Sequence, residues 1–170
     1  MSRGTPKRVL FVCLGNICRS PTGEGVFRAL VAGRGLGDRV EIDSAGTGSW
    51  HVGEPADRRM RQAAGGRGYE LASRARQVSR DDFERFDLIV AMDRANRDDL
   101  AALAPAGSRA ELRLFSDFLP PAAPRDVPDP YYGGGDGFDR VLDLIEQGAP
   151  RILDHLLGDL ADGDTGGGAR

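Results

Sequence analysis

Both cysteines of the chain fall in one stretch, Val9 to Ser20, which reads VLFVCLGNICRS. Cys13 closes an apolar run, and five residues separate it from Arg19. Leu14, Gly15, Asn16, Ile17 and Cys18 lie between them, with Ser20 just beyond. A cysteine beside a cation and a helix N-terminus favours its thiolate form, the nucleophilic one. An arginine presents a planar fork that takes two oxygens of a phosphate at once. One short loop therefore offers a nucleophile, an oxyanion cradle and a clamp for transition-state charge. Such a set suits attack of Cys13 on a phosphate ester, giving a phosphocysteine that splits one hard hydrolysis into two steps.

That chemistry needs a strand that ends at Cys13 and a helix that begins near Arg19. Val9, Leu10, Phe11 and Val12 do not alternate with polar residues, as expected of a parallel strand covered on both faces. Ser20 suits a helix N-cap and Pro21 the first helical position. Val26, Phe27, Leu30 and Val31 then recur at helical spacing. Gly23 and Gly25 weaken that helix by up to about 1 kcal/mol each relative to Ala. The loop thus joins a strand C-terminus to a helix N-terminus, where N–H groups and the helix dipole favour anions. Arginine at such an end is electrostatically misplaced unless an anion is near.

The same strand–helix alternation continues. Val40–Ala45 reads as a second strand, Asp57–Ala64 as a helix, and Ser79 as the cap of a short helix at 80–85, with Asp82 in the capping-box place. Residues 87–92 read as a third strand, Asp93 as the start of a helix to about Leu103, and 112–115 as a fourth strand. A long Pro- and Gly-rich loop spans 116–137. A C-terminal helix follows from Phe138 to Leu156, with Pro150 expected to kink or restart it. This predicts a three-layer αβα fold with a four-stranded parallel sheet and flavodoxin-like topology. Residues 1–160 form one domain and 161–170 a flexible tail. Ligands of such folds bind beyond the carboxyl ends of the strands, where Cys13, Ser44, Trp50 and Asp93 all fall.

The leaving group of such a hydrolysis needs a proton, and two carboxylates in the long loop, Asp126 and Asp129, are candidates. The residues alone do not separate them. Asn16 and Ser44 are suited to brace the loop by hydrogen bonds. Ser20 suits two roles, an N-cap and a hydroxyl donor to the Cys13 thiolate. Trp50, Tyr131 and Tyr132 suit the walls of a slot for a flat ring, deep enough to exclude phosphoserine. Cys18 reads either as a small buried hydrophobe or as a partner for a reversible disulfide with Cys13.

The 170 residues carry a net charge of −3 and no long basic stretch, which argues against nucleic acid. No apolar run approaches the length of a membrane span, and the polar start MSRGTPKR does not resemble a signal peptide. Two cysteines do not make a secreted disulfide framework, so a cytoplasmic monomer is expected. With only His51 and His155 beside them, no metal site is expected and no cofactor is implied. Neither a GxxxxGK loop nor dinucleotide-binding glycine spacing occurs.

The run Val12–Pro21 resembles the signature loop of the low-molecular-weight protein tyrosine phosphatases. A lone Cys-x5-Arg is weak, but GNICRSP after an N-terminal strand is specific. The resemblance continues through Ser44–Thr47, Trp50–Gly53, Ala75–Gln77, Met92-Asp93 and Asp129–Tyr132, covering roughly residues 7 to 158. It implies hydrolysis of phosphotyrosine in proteins, with Cys13 as nucleophile, Arg19 on the phosphate and Asp129, from Asp-Pro-Tyr-Tyr, as general acid. It further implies that Asp93 orients Arg19 and that a tyrosine kinase can act on Tyr131 or Tyr132. Members commonly place a bracing histidine where this chain has Ser73. Thioredoxin-coupled arsenate reductases share the loop but need further cysteines, absent here. Protein-arginine phosphatases tend to carry Thr at the place of Ile17, so Ile17 tilts the choice toward phosphotyrosine. The Trp50–Gly53 wall separates the chain from the phosphatases paired with exopolysaccharide kinases. A non-catalytic phosphate-binding module is the remaining alternative.

Overall fold

Lys7–Cys13 forms β1, the central strand of a four-stranded parallel sheet in the order β2-β1-β3-β4. Its neighbours are β2 (Val40–Gly46) and β3 (Leu88–Ala91), and β4 (Glu111–Leu114) lies outside β3. A computed structural model describes residues 5–133 and 136–158, with the backbone alone at Tyr132. The predicted tail at 161–170 lies outside the described residues.

The non-alternating sequence of β1 reflects burial on both faces. Val9, Phe11 and Cys13 pack into one core layer, and Leu10 and Val12 into the other. The first layer is covered by α1 (Arg19–Gly33), α2 (Arg58–Gly65) and α5 (Asp136–Leu156). The second is covered by α3 (Asp82–Arg85) and α4 (Arg94–Leu103). This is the three-layer arrangement with the flavodoxin-like strand order. It gathers the strand ends at Cys13, Gly46, Ala91 and Leu114 along one edge.

Three local expectations are corrected. First, α1 begins at Arg19 with Cys18 as its N-cap, so Ser20 and Pro21 lie inside the first turn. The Ser20 hydroxyl faces the loop interior instead of capping the helix. Second, Pro150 does not restart the C-terminal helix, which runs unbroken through it as α5. Ile152, Leu153 and Leu156 beyond it are buried, each contributing about 1.5–3 kcal/mol. Together they outweigh the roughly 3 kcal/mol a helical proline costs. Third, the loop at 116–137 is partly structured, by 3-10 turns at Phe115–Phe118 and Pro130–Tyr132.

The first half of α1 is buried nearly all round, which explains its two glycines. A Cβ at Gly23 would sit 3.0 Å from Phe11 and Met92, and one at Gly25 only 2.5 Å from Leu71. Gly23 thus lets α1 lie close against Phe11 of β1, and Gly25 leaves room for the Leu71 side chain.

Candidate active site

The loop from Cys13 to Ser20 curls over the end of β1. Cys13 and Asn16 are each 2% exposed and Ser20 is fully buried. Asn16 takes the left-handed conformation, φ 57°, which its short polar side chain tolerates. That conformation turns its N–H onto Cys13 Sγ at 3.3 Å. Ser20 Oγ lies 3.1 Å from the same sulfur. Asn16 Nδ2 donates to Ser20 Oγ at 2.8 Å and to Ser44 Oγ at 3.0 Å, and its Oδ1 accepts from the Arg76 N–H at 3.0 Å. The Asn16 amide is therefore fully engaged. The N–H groups of Leu14, Gly15, Ile17 and Cys18 take no acceptor among the described residues. They are free donors for an anion.

Arg19 is 2% exposed, yet it carries a full charge beneath the loop. Its NH1 donates to Asp93 Oδ2 at 2.6 Å and to the Val127 carbonyl at 3.0 Å. NH2 lies 3.5 Å from Asp129 Oδ2, and Nε is buried with no partner among the described residues. One end of the guanidinium is thus pinned while the Nε–NH2 edge stays available for two oxygens. Burial alone would lower the Arg19 pKa, but Cys13 and Asp93 hold it above its ordinary value. The Asp93 carboxylate works at both ends: Oδ1 caps α4 by accepting from the Asn96 N–H at 2.7 Å, and Oδ2 grips Arg19.

Asp129 and Asp126 are separated by their surroundings. Asp126 is committed to Arg94, whose side chain donates to both carboxylate oxygens at 3.0 and 3.1 Å and whose N–H donates at 2.9 Å. These bonds, chiefly the Arg94 side chain, hold its carboxyl below the usual carboxylate range. Asp129 instead lines a cavity of about 290 Å³ together with Cys13 and Arg19. Its Oδ1 accepts from the Tyr131 N–H at 3.0 Å, capping a 3-10 turn in which Pro130 follows directly.

Leu14, Gly15, Ile17 and Cys18 line the same cavity, with Trp50, His51 and Tyr131 around its mouth. Trp50 is 71% exposed and Tyr131 38%. The Tyr132 side chain lies outside the described residues. Cys18 carries a free thiol, as does Cys13. Burial, reinforced by Asp57 and Cys13, pushes the Cys18 thiol far above its ordinary pKa.

The comparisons with known proteins follow the same boundaries. The family model for low molecular weight phosphotyrosine protein phosphatases matches residues 8–161. The chain belongs to this family. A low molecular weight protein-tyrosine-phosphatase of Streptomyces coelicolor is 49% identical over 149 residues, covering 86% of this chain and 91% of that protein. A crystal structure of a protein tyrosine phosphatase from Entamoeba histolytica superposes with a TM-score of 0.85 at 41% identity, covering 90% of this chain and 99% of that one. An arginine phosphatase structure from Drosophila superposes at 0.80 with 35% identity, covering 86% and 96%.

Several residues of this phosphatase site escaped sequence reasoning. Asp57 caps α2 by accepting from the Arg59 and Met60 N–H groups, and its own N–H donates to the Ile17 carbonyl at 2.8 Å, a link to the loop that the sequence does not signal. Arg59 lies over the rings of Tyr131 and Phe138, 5.5 and 4.9 Å from their centroids. Ser73, where a bracing histidine was expected, makes no side-chain hydrogen bond among the described residues. It lines a small cavity of about 120 Å³ with Glu24 and Arg28. Glu24 is the residue that reaches Ser44, whose hydroxyl donates to Glu24 Oε1 at 2.6 Å. An acidic residue four before an arginine on a helix gives no signal of that depth.

Proposed function

We propose that the chain hydrolyses phosphotyrosine in proteins through a phosphocysteine. In the first step the Cys13 thiolate attacks phosphorus, forming an S–P bond as the P–O bond to the phenol breaks. Asp129 gives its proton to the departing phenolate oxygen. In the second step Asp129, now a carboxylate, takes a proton from water. That water attacks phosphorus, the S–P bond breaks, and inorganic phosphate leaves. Ser20 donates its hydroxyl to the sulfur and stabilises it as leaving group. Arg19 and the loop N–H groups hold the three equatorial oxygens, which carry the transition-state charge. The reading rests above all on the shared cavity of Cys13, Arg19 and Asp129, beneath which Arg19 Nε is buried with no partner among the described residues and NH2 holds only the 3.5 Å contact with Asp129. Asn16, Ser44 and Asp93 act as supports, and Trp50 and Tyr131 wall the ring slot, with Tyr132 retained as an expectation.

Similarity to an arginine phosphatase structure keeps phosphoarginine as the second reading. Ile17, which lines the cavity floor, favours the apolar ring of tyrosine. A panel of phosphotyrosine, phosphoarginine and phosphoserine peptides tests this. Phosphotyrosine is expected to be cleaved fastest; a preference for phosphoarginine overturns the choice, and no hydrolysis of any overturns the enzyme reading.

We further assign Cys18 as the resolving thiol. Peroxide oxidises Cys13 to a sulfenic acid, and Cys18 condenses with it to a disulfide with loss of water. Mass spectrometry after peroxide treatment is expected to find that bond; Cys13 sulfinic or sulfonic acid alone would refute it. Tyr131, exposed at the rim, is a candidate for phosphorylation by a tyrosine kinase, as is Tyr132 on sequence grounds. The chain is taken as a cytoplasmic monomer with one domain at 1–160 that engages neither nucleic acid nor membrane. Among the described residues no helix is long and apolar enough to cross a membrane.

A further inference from the structure

We propose that Glu24 is a positioning residue for the nucleophile, acting through Ser44 and Asn16 to aim the Ser20 hydroxyl at Cys13. The proposal deepens the phosphatase reading and rests on it only for the consequence in turnover.

Glu24 is 7% exposed, and carboxylates are buried this deeply almost only when paired. Its Oε2 accepts from Arg28 Nε at 3.1 Å and NH2 at 2.9 Å, and Arg28 also donates to the Ile42 carbonyl at 2.7 Å. That pairing fixes the carboxylate. Its other oxygen, Oε1, accepts from Ser44 at 2.6 Å. The consequence follows from counting hydrogens. Ser44 has one hydroxyl hydrogen, and Glu24 takes it. Ser44 therefore meets Asn16 with a lone pair, and only the NH2 end of the Asn16 amide fits there. The second Nδ2 hydrogen goes to Ser20, so the Ser20 hydrogen cannot be spent on Asn16. It is left for Cys13 Sγ at 3.1 Å or the Ala45 carbonyl at 3.3 Å. An ionised sulfur is the stronger acceptor. The Arg76 N–H selects the same amide orientation from the other side. Glu24 thus shares the task, and its removal weakens the aim without abolishing it.

The test measures the pH profile of Cys13 alkylation by iodoacetamide, read by tandem mass spectrometry, in Glu24→Ala and Glu24→Gln. Both substitutions remove the same charge, but Gln keeps an acceptor for Ser44. The difference between them therefore reads the hydrogen bond. The Ala profile is expected to lie at higher pH than the Gln profile, with about three- to tenfold slower alkylation near neutral pH. Superimposable profiles overturn the proposal, since removing the acceptor for Ser44 would then leave Cys13 unaffected. Should Glu24→Ala not fold, Glu24→Asp replaces it. Asp keeps the charge while its shorter stem withdraws the acceptor. Its profile is expected above that of wild type, and an unchanged profile overturns the proposal. Wild-type hydrolysis of phosphotyrosine is measured alongside. Its absence would remove the functional reading and leave the alkylation comparison intact.

Discussion

Between Cys13 and Ser20 the polar side chains are buried, and Asn16 and Ser20 are bonded on several sides. Across the cavity Trp50, Tyr131 and Asp129 are all partly exposed, Trp50 most, and Asp129 is held by one bond within its own turn and a 3.5 Å contact with Arg19. On the proposed function, the first region meets the same small phosphoryl group in every substrate, so its donors can be fixed in advance and cost no reorganisation during reaction. The second must admit a ring and the polypeptide that carries it, then part from the product. Loops that accommodate varied partners are drawn from the less constrained parts of a fold. On the proposed function, the contrast puts phosphate binding and nucleophilic attack at the floor, selection at the rim, and proton transfer by Asp129 where the two meet.

The comparison breaks first at the floor. Cys13→Ser is expected to abolish turnover, by roughly 10⁴-fold or more, because an unactivated hydroxyl is a poor nucleophile. Phosphate binding should persist in this variant, measured by isothermal titration. Loss of binding as well would mean that the floor is not preformed. Asp129→Ala, at the junction of the two regions, is expected to slow turnover by about 10²–10⁴-fold for a poor leaving group. The loss should be smaller with p-nitrophenyl phosphate, whose leaving group needs little protonation. Equal losses on both substrates would refute the acid role. At the rim, Trp50→Ala is expected to raise KM by about tenfold for phosphotyrosine peptides with kcat within about threefold, the pattern of lost uniform binding. A fall in kcat alone would place Trp50 with the floor. The smallest effect belongs to Asp126→Asn, outside both regions, where steady-state rates should stay within about threefold of wild type.

Asp126 also gives the comparison a pH dimension. Arg94 lowers its folded-state pKa below the unfolded value of 3.8. Its contribution to stability is then fully present above that value and is lost as pH falls through the folded pKa. The thermal midpoint of Asp126→Asn should lie slightly below wild type near pH 7 and converge with it in strong acid. The pair is exposed and salt-screened, so the gap is small.

The floor was legible in the sequence because its parts are local. Cys13, Asn16, Arg19 and Ser20 lie within one turn-forming run, and residue type and spacing suffice to state what they can do. The strands were legible for a similar reason: Leu88–Ala91 and Val9–Val12 are uninterrupted apolar runs that only double burial explains. The failures arose where tertiary packing overrode a local preference. Pro150 reads as a break until the buried face beyond it is weighed. Ser20 suits a cap and a donor to the sulfur equally as a letter, and only the start of α1 at Arg19 separates the two roles. Asp126 and Asp129 are equivalent as letters, and only the position of Arg94 distinguishes them. Nothing in the sequence marks Glu24 as a support of the loop, because its burial comes from tertiary packing around the first half of α1. The rim was legible in residue type alone, since nothing in Trp50 or Tyr131 states how far each protrudes.

The bonds that hold the floor come from far along the chain. Asn16 reaches Ser44 at a separation of 28 residues and Arg76 at 60, while Arg19 reaches Asp93 at 74 and Val127 at 108. Contacts at such separations form only after the intervening chain has been ordered. In refolding from denaturant, helical circular dichroism is therefore expected to return before the capacity to bind phosphate. Coincident recovery of the two signals would contradict this. A site that reads as the most local motif in the sequence is, in the order of assembly, among the last parts of the molecule to exist.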